Sequence, residues 1–243
     1  MERARHDERS GARAPLGAVV DLPEGAITSL HERRSGSARY IVSIDGRPAA
    51  VISAHIIGEL GLRVGMPVDS AVAHRLALAA ADLQVFDKAI ALLAVRARSA
   101  RDLHTRLKRA GATDAPISRA IEQLRGLGLV DDEAYAQSLA RSRVESGGVS
   151  RRRIGQELQQ RGVTRDVAEV AIADALGDLT LDELGAATAV AERRMRSLRT
   201  LDAATQRRRL YAFLARRGYE SHIIATVVRR LVDASPPGDA NQR

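Results

Sequence analysis

A chain of 243 residues has room for one large domain or two small ones and can bury a substantial core. Its 45% apolar and 28% charged content is ordinary for a globular protein, but aromatics are only 2% with no tryptophan, so the core must be aliphatic. A chain with no cysteine excludes a disulfide scaffold, thiolate-bound zinc, iron–sulfur ligation and a cysteine nucleophile. The net charge of +8 is unevenly spread: residues 1–84 carry 10 basic and 10 acidic side chains, residues 85–232 carry 27 and 18. Of the 38 basic residues only Lys88 and Lys108 are lysine. Arginine forks bind phosphate and carboxylate bidentately, which points to nucleic acid or an acidic protein surface as partner.

Residues 1–24 mix Gly, Pro, Ala and scattered charges without periodicity, and residues 233–243 do the same; both are expected to be disordered. The starting methionine is not followed by the apolar stretch of a secretory signal. The longest apolar runs, Leu76–Ala81 and Ala89–Val95, fall far short of the roughly 18 residues a membrane span needs. A cytoplasmic protein with no membrane contact is the expectation. Residues 25–84 read as a small α+β module. Between Ile27 and Ile52 apolar and polar residues alternate around Asp45-Gly46, a strong hairpin dipeptide, so two or three short strands are expected. A helix should follow from Ser53 to about Leu60, stopped by Gly61, and another should begin at Asp69.

From residue 85 onward the pattern is helix after helix, and it repeats. An apolar pair four apart is followed by a glycine four later at Leu103, Leu107 and Gly111, at Ile154, Leu158 and Gly162, and at Leu210, Leu214 and Gly218, with spacings of 51 and 56 residues. Each glycine is followed by a second apolar pair, Ile121 and Leu124, Ile172 and Ala175, Val228 and Leu231. Glycine at a helix end supplies the left-handed cap that other residues adopt only at a cost. Ser99 with Asp102 and Thr180 with Glu183 read as capping boxes. The region divides into three triplets of helices, residues 85–129, 130–177 and 179–232. The fold class expected is therefore mainly α: tandem three-helix repeats in a curved array, preceded by a small β-containing N-terminal module.

No catalytic constellation emerges. There is no phosphate-binding Gly-x4-Gly-Lys loop, no dinucleotide Gly-x-Gly-x2-Gly, no His-Glu-x2-His and no Gly-x-Ser-x-Gly, and the six histidines are dispersed. The dense carboxylate run Asp131-Asp132-Glu133 sits where a helix should begin, and reads as capping and dipole-complementing acids, with no metal site and no cofactor expected. The basic clusters are the candidate binding residues. Arg141 and Arg143 end one helix and Arg151, Arg152 and Arg153 open the next, with Glu145 as the one acid in 13 residues. Farther on, Arg193, Arg194, Arg196, Arg199, Arg207, Arg208, Arg209, Arg216, Arg217, Arg229 and Arg230 face only Glu192, Asp202 and Glu220, a net +8 over 39 residues. Three arginines at a helix start oppose the helix dipole, and an external anion would relieve that cost. With so few aromatics, base stacking is not expected, leaving salt-dependent contact with phosphates or with acidic protein.

The stretches Lys88–Leu107, Leu124–Ala136 and Ser150–Val163, with Leu127-Gly-Leu-Val-Asp-Asp132 at their centre, resemble the RecX family, regulators of the RecA recombinase. The similarity is close over residues 85–177 and looser over the third triplet; the family's usual Phe is Tyr135 here. The strand-bearing stretch 27–80 resembles an N-terminal module of some members. The resemblance implies a helical-repeat protein, a monomer without chemistry of its own, that lies in the groove of the RecA filament on single-stranded DNA. It implies inhibition of RecA's ATPase, strand exchange and coprotease activities, and so modulation of DNA repair and the SOS response, with direct binding of single- or double-stranded DNA left open. No catalytic residue is carried over; Ser99, Leu103, Leu107, Asp131, Asp132, Ile154 and Leu158 read as caps and core. The alternative is a free-standing helix-turn-helix DNA binder, but its candidate recognition helices, Ser118–Arg125 and Arg165–Ala173, are poor in Asn and Gln.

Overall fold

The computed structural model describes residues 15–176 and 183–233, and the chain divides into two compact units, Met1–Val130 and Asp131–Arg243. The disorder expected of residues 1–14 and 234–243 and the cap expected at Thr180 lie outside the described residues.

In the first unit, strands β1 (Gly25–Glu32), β2 (Arg39–Ile44), β3 (Arg47–Ser53) and β4 (Pro67–Val68) form an antiparallel sheet in the order β3-β2-β1-β4. Asp45 and Gly46 close the β2–β3 hairpin with φ of 47° and 79°, as a two-residue type I′ turn requires. The Asp45 carboxylate also accepts the Ala26 N–H at 3.0 Å, tying the turn to β1. Helix α1 (Ala54–Leu60) ends at Gly61 in the left-handed conformation. Then come α2 (Ser70–Val95), α3 (Ala100–Arg109) and α4 (Asp114–Gly126).

Helix α2 runs uninterrupted through the expected boundary at residue 84, starting from Asp69, whose carboxylate accepts the Val72 N–H at 2.8 Å. Its first half buries Ala73 and Leu76 beneath the sheet with Ile27, Val42, Ile44 and Ile52. Its second half buries Val85 and Ala89 with Leu103, Leu107, Ile117 and Leu124. The change in charge balance near residue 84 is not a break in the chain, because the alanine- and leucine-rich stretch on either side favours helix throughout. At its far end, the buried Arg98 donates to the Leu92 carbonyl (3.0 Å) and to Asp102 (2.8 Å), pinning α2 to α3. Residues 15–24, expected to be disordered, are anchored: Leu16 packs on the helical core and Leu22 on the sheet core. Isolated anchors of this kind carry no periodicity for a sequence reading to detect.

The second unit holds α5 (Asp132–Ser146), α6 (Arg151–Gln160), α7 (Arg165–Leu176), α8 (Glu183–Met195), α9 (Ala203–Arg216) and α10 (Ser221–Val228). A π-helical turn, Arg229–Asp233, extends α10 to a residue expected to lie in the disordered tail. One core gathers Ala136, Ala140, Ile154, Leu158 and Ile172; the other gathers Ala187, Ala191, Leu210, Leu214, Ile224 and Val227.

The repeat is physical as well as statistical. The middle helix of each triplet, α3, α6 or α9, starts on a side-chain oxygen: Ser99 accepts from Asp102 N, Ser150 from Arg153 N and Asp202 from Thr205 N. Each ends in the same Schellman arrangement. Gly111, Gly162 and Gly218 (φ of 96°, 84° and 88°) donate to Lys108, Gln159 and Ala215. The next residues, Ala112, Val163 and Tyr219, donate back to the core leucines Leu107, Leu158 and Leu214. Helix α9 has 14 residues against 10 in α3 and α6, one extra turn, which accounts for most of the longer second spacing.

Candidate functional site

Where α6 begins, the chain leaves α5 through Gly147 and Gly148, both with positive φ, and Ser150 enters the cap position fully buried. Ser150 joins the second triplet to the third. Its N–H donates to the Arg217 carbonyl (3.1 Å) and its hydroxyl to the Gly218 carbonyl (2.8 Å), while the same oxygen caps Arg153 N. Gly218 is packed so closely here that a Cβ would lie 2.7 Å from Ser150 Oγ and 2.8 Å from Arg153 Cβ. Close approach of the two triplets therefore needs glycine for its lack of bulk as well as for its dihedral.

Around this junction the candidate arginines separate into those engaged by partners within the protein and those that are not. Arg143, half-buried, is engaged. Its Nε and Nη2 both meet the Glu157 carboxylate at 2.8 Å, Arg161 meets the same carboxylate at 2.8 Å, and Arg161 also donates to the Tyr135 hydroxyl at 2.8 Å. The Arg143 guanidinium beside Glu157 holds its carboxyl below the usual range, against the opposing effect of burial. Expected among the binding arginines, Arg143 instead staples α5 to α6, because Glu157, one turn from the end of α6, lies opposite it. Arg207 is likewise engaged, with Asp233 at 2.7 Å. Arg217 donates to the Gly148 carbonyl and stacks 4.5 Å from the centre of the Phe213 ring.

The others are exposed. Arg141, Arg152, Arg153, Arg208, Arg209 and Arg216 have no side-chain partner among the described residues. The first turn of α6 contains no acid of its own; Glu183, from α8, accepts the Arg151 N–H at 3.3 Å. Among the described residues Arg193 bonds only its own helix, at the Ala189 carbonyl, and Arg194 lies 5.5 Å from the Phe213 ring centre. The structure thus brings together Arg193, Arg194 and Arg217 around the α5–α6 turn, with Arg153 beside Gly218 at the same junction, whereas Arg151 and Arg152 open α6 and Arg208 and Arg209 are exposed on α9. Phe213 and Glu157 do not stand out in the sequence. Neither belongs to a motif, and each matters through residues distant along the chain.

The carboxylates do something else. Asp131 caps α5, accepting the N–H groups of Glu133 and Ala134, both at 2.9 Å. Among the described residues no group of three or more His, Asp or Glu could hold a metal ion, and no helix is long and apolar enough to cross a membrane.

These features define a tandem three-helix-repeat protein with a cluster of arginines at the junction of its second and third triplets. Comparison with known proteins gives the class a name. Residues 131–172 match the family profile described as RecX, second three-helix domain, and residues 182–228 match RecX, third three-helix domain. Regulatory protein RecX of Chlorobium phaeobacteroides is 32% identical over 143 residues, covering 59% of this chain and 90% of the relative. Regulatory protein RecX of Levilactobacillus brevis is 29% identical over 215 residues, covering 88% and 79%. A crystal structure of regulatory protein RecX shares the fold with a TM-score of 0.66 at 23% identity, covering 83% of this chain and 98% of that one. The chain belongs to the RecX family of regulatory proteins.

Proposed function

We propose that the chain binds the RecA recombinase and the filament RecA forms on single-stranded DNA, and that it inhibits RecA's ATPase, strand exchange and coprotease activities without turnover of its own. It would act as a monomer in the cytoplasm, restraining recombination and the SOS response. The observation that carries this reading is the cluster of Arg193, Arg194 and Arg217 at the junction of second and third triplets, which meet no carboxylate among the described residues, in a chain of the RecX family. A filament offers both phosphates and acidic side chains, and guanidinium forks suit both.

The helix-turn-helix alternative loses support at α7. Its exposed residues include Asp166, Glu169 and Asp174 against Arg165, and Arg165 is paired with Glu169 at 2.7 Å. An acidic face is repelled by a DNA groove. The test is RecA's DNA-dependent ATPase titrated with purified protein. A concentration-dependent fall is expected, with no ATP hydrolysis or DNA cleavage when RecA is left out. An unchanged RecA rate would refute regulation, and DNA cleavage abolished by Asp131→Asn with Asp132→Asn would refute the absence of turnover.

A further inference from the structure

A cavity of about 320 Å³ opens in the second unit between the α5–α6 turn and helices α8 and α9. Its walls include Arg193, Arg194, Arg217, Ser146, Ser197 and Phe213. Among the described residues three guanidiniums and no carboxylate line it; the neighbouring acids Glu145 and Glu192 are exposed and take no part in its walls. We propose that this cavity seats a phosphodiester group of single-stranded DNA, and that it reads charge and not base. The inference rests on the reading that the chain works on DNA-bound RecA, and it assigns the DNA contact to particular residues.

Three observations lead there. First, the cavity is built. Gly148 (φ +81°) leaves space for Arg217, since a Cβ at that position would lie 2.5 Å from Nη1, and the Gly148 carbonyl then fixes the guanidinium. Second, Phe213 cannot stack a base, because Arg194 and Arg217 already cover its ring at 5.5 and 4.5 Å. The ring instead orients two cations toward the same space. Third, most of the donors are unspent. Arg194 has no hydrogen-bond partner among the described residues and Arg193 uses only Nε, on a carbonyl of its own helix, so planar N–H forks remain for oxyanion oxygens. The hydroxyls of Ser146 and Ser197 donate to the Arg143 and Arg194 carbonyls, so the guanidiniums are the anion-binding groups. The volume equals about ten waters, enough for a phosphodiester and its sugar.

The test uses the full chain, without RecA, and a fluorescein-labelled oligothymidylate titrated by anisotropy at several salt concentrations. Arg193→Gln with Arg194→Gln removes two cations from exposed positions on α8. Ser197→Asp, separately, adds a carboxylate to the cavity and removes no arginine. Urea midpoints near the wild-type value establish that both fold. The expected result is a log-log salt slope shallower by about 0.7 for each phosphate that the double variant no longer neutralises. Weaker binding is expected for Ser197→Asp, and added pyrophosphate at matched ionic strength should displace the oligonucleotide from wild type. Unchanged affinity and slope in both folded variants would overturn the proposal. So would loss of pyrophosphate binding with oligothymidylate binding intact, which would make the cavity a small-anion site. Loss of RecA inhibition with DNA binding intact would overturn it in favour of an acidic protein surface. If wild type binds DNA through this cavity yet leaves RecA's ATPase untouched, the regulatory reading fails and the cavity assignment stands.

Discussion

Replacing Gly218 by alanine tests whether second and third triplets are locked through Ser150. Two costs combine. A non-glycine residue at φ +88° costs roughly 1–2 kcal/mol from its Cβ meeting the carbonyl. The Cβ would also stand 2.7 Å from Ser150 Oγ and 2.8 Å from Arg153 Cβ, in a place where neither backbone can retreat without breaking the bonds Ser150 makes to Arg217 and Gly218. Overpacking of that kind typically costs about 1–3 kcal/mol. The loss should therefore be about 2–5 kcal/mol. Gly128→Ala is the internal control, because Gly128 has φ +67° with nothing within 4 Å of the position its methyl would take, and should lose only the first part. Urea unfolding followed by circular dichroism reads both, and with a slope of about 2 kcal/mol per molar the Gly218 variant should shift its midpoint by roughly 1 M or more. If Gly218→Ala proves no more destabilising than Gly128→Ala, the triplets are not locked at this point.

Leu158→Ala empties a fully buried slot in the repeat and should cost about 2–5 kcal/mol by denaturation; a loss below about half a kcal/mol would mean that the repeated leucines are not the core. Changing Arg151, Arg152 and Arg153 together to alanine should leave stability unchanged or slightly raised, because they oppose the dipole of α6, while weakening inhibition of RecA; unchanged inhibition at unchanged stability would return them to a solvated face. Glu157, held below its ordinary range by Arg143, contributes stability that is fully present above the unfolded carboxyl value and is lost as pH falls through the folded one. Wild type should therefore lose more stability on acidification than Glu157→Gln does, and parallel pH profiles would contradict the staple.

The features that stand out in the sequence are those whose partners lie within one helical turn. Ser99 and Asp131 sit beside the amides they cap, and the glycine slots stand four residues beyond the leucines whose carbonyls their neighbours satisfy. The mainly helical fold with a small sheet ahead of it could be read from such signals. The fate of individual arginines could not. Arg143 and Glu157 are 14 residues apart, Gly148 and Arg217 are 69 apart, and nothing local distinguishes a guanidinium bound to an internal partner from one left in water. The positions of Leu16 and Leu22 are hidden for a similar reason: a single apolar residue that anchors a segment makes no periodic pattern.

Helix α2, at 26 residues and about 39 Å, belongs to two cores at once. A beam shared by two rooms cannot be removed from one alone. Amide exchange along α2 should therefore show a single protection level from Leu76 to Ala89, and loosening the sheet should speed exchange at the far end as much as the near one. Any molecule gripping the sheet would thereby alter the free energy with which the first helical triplet opens.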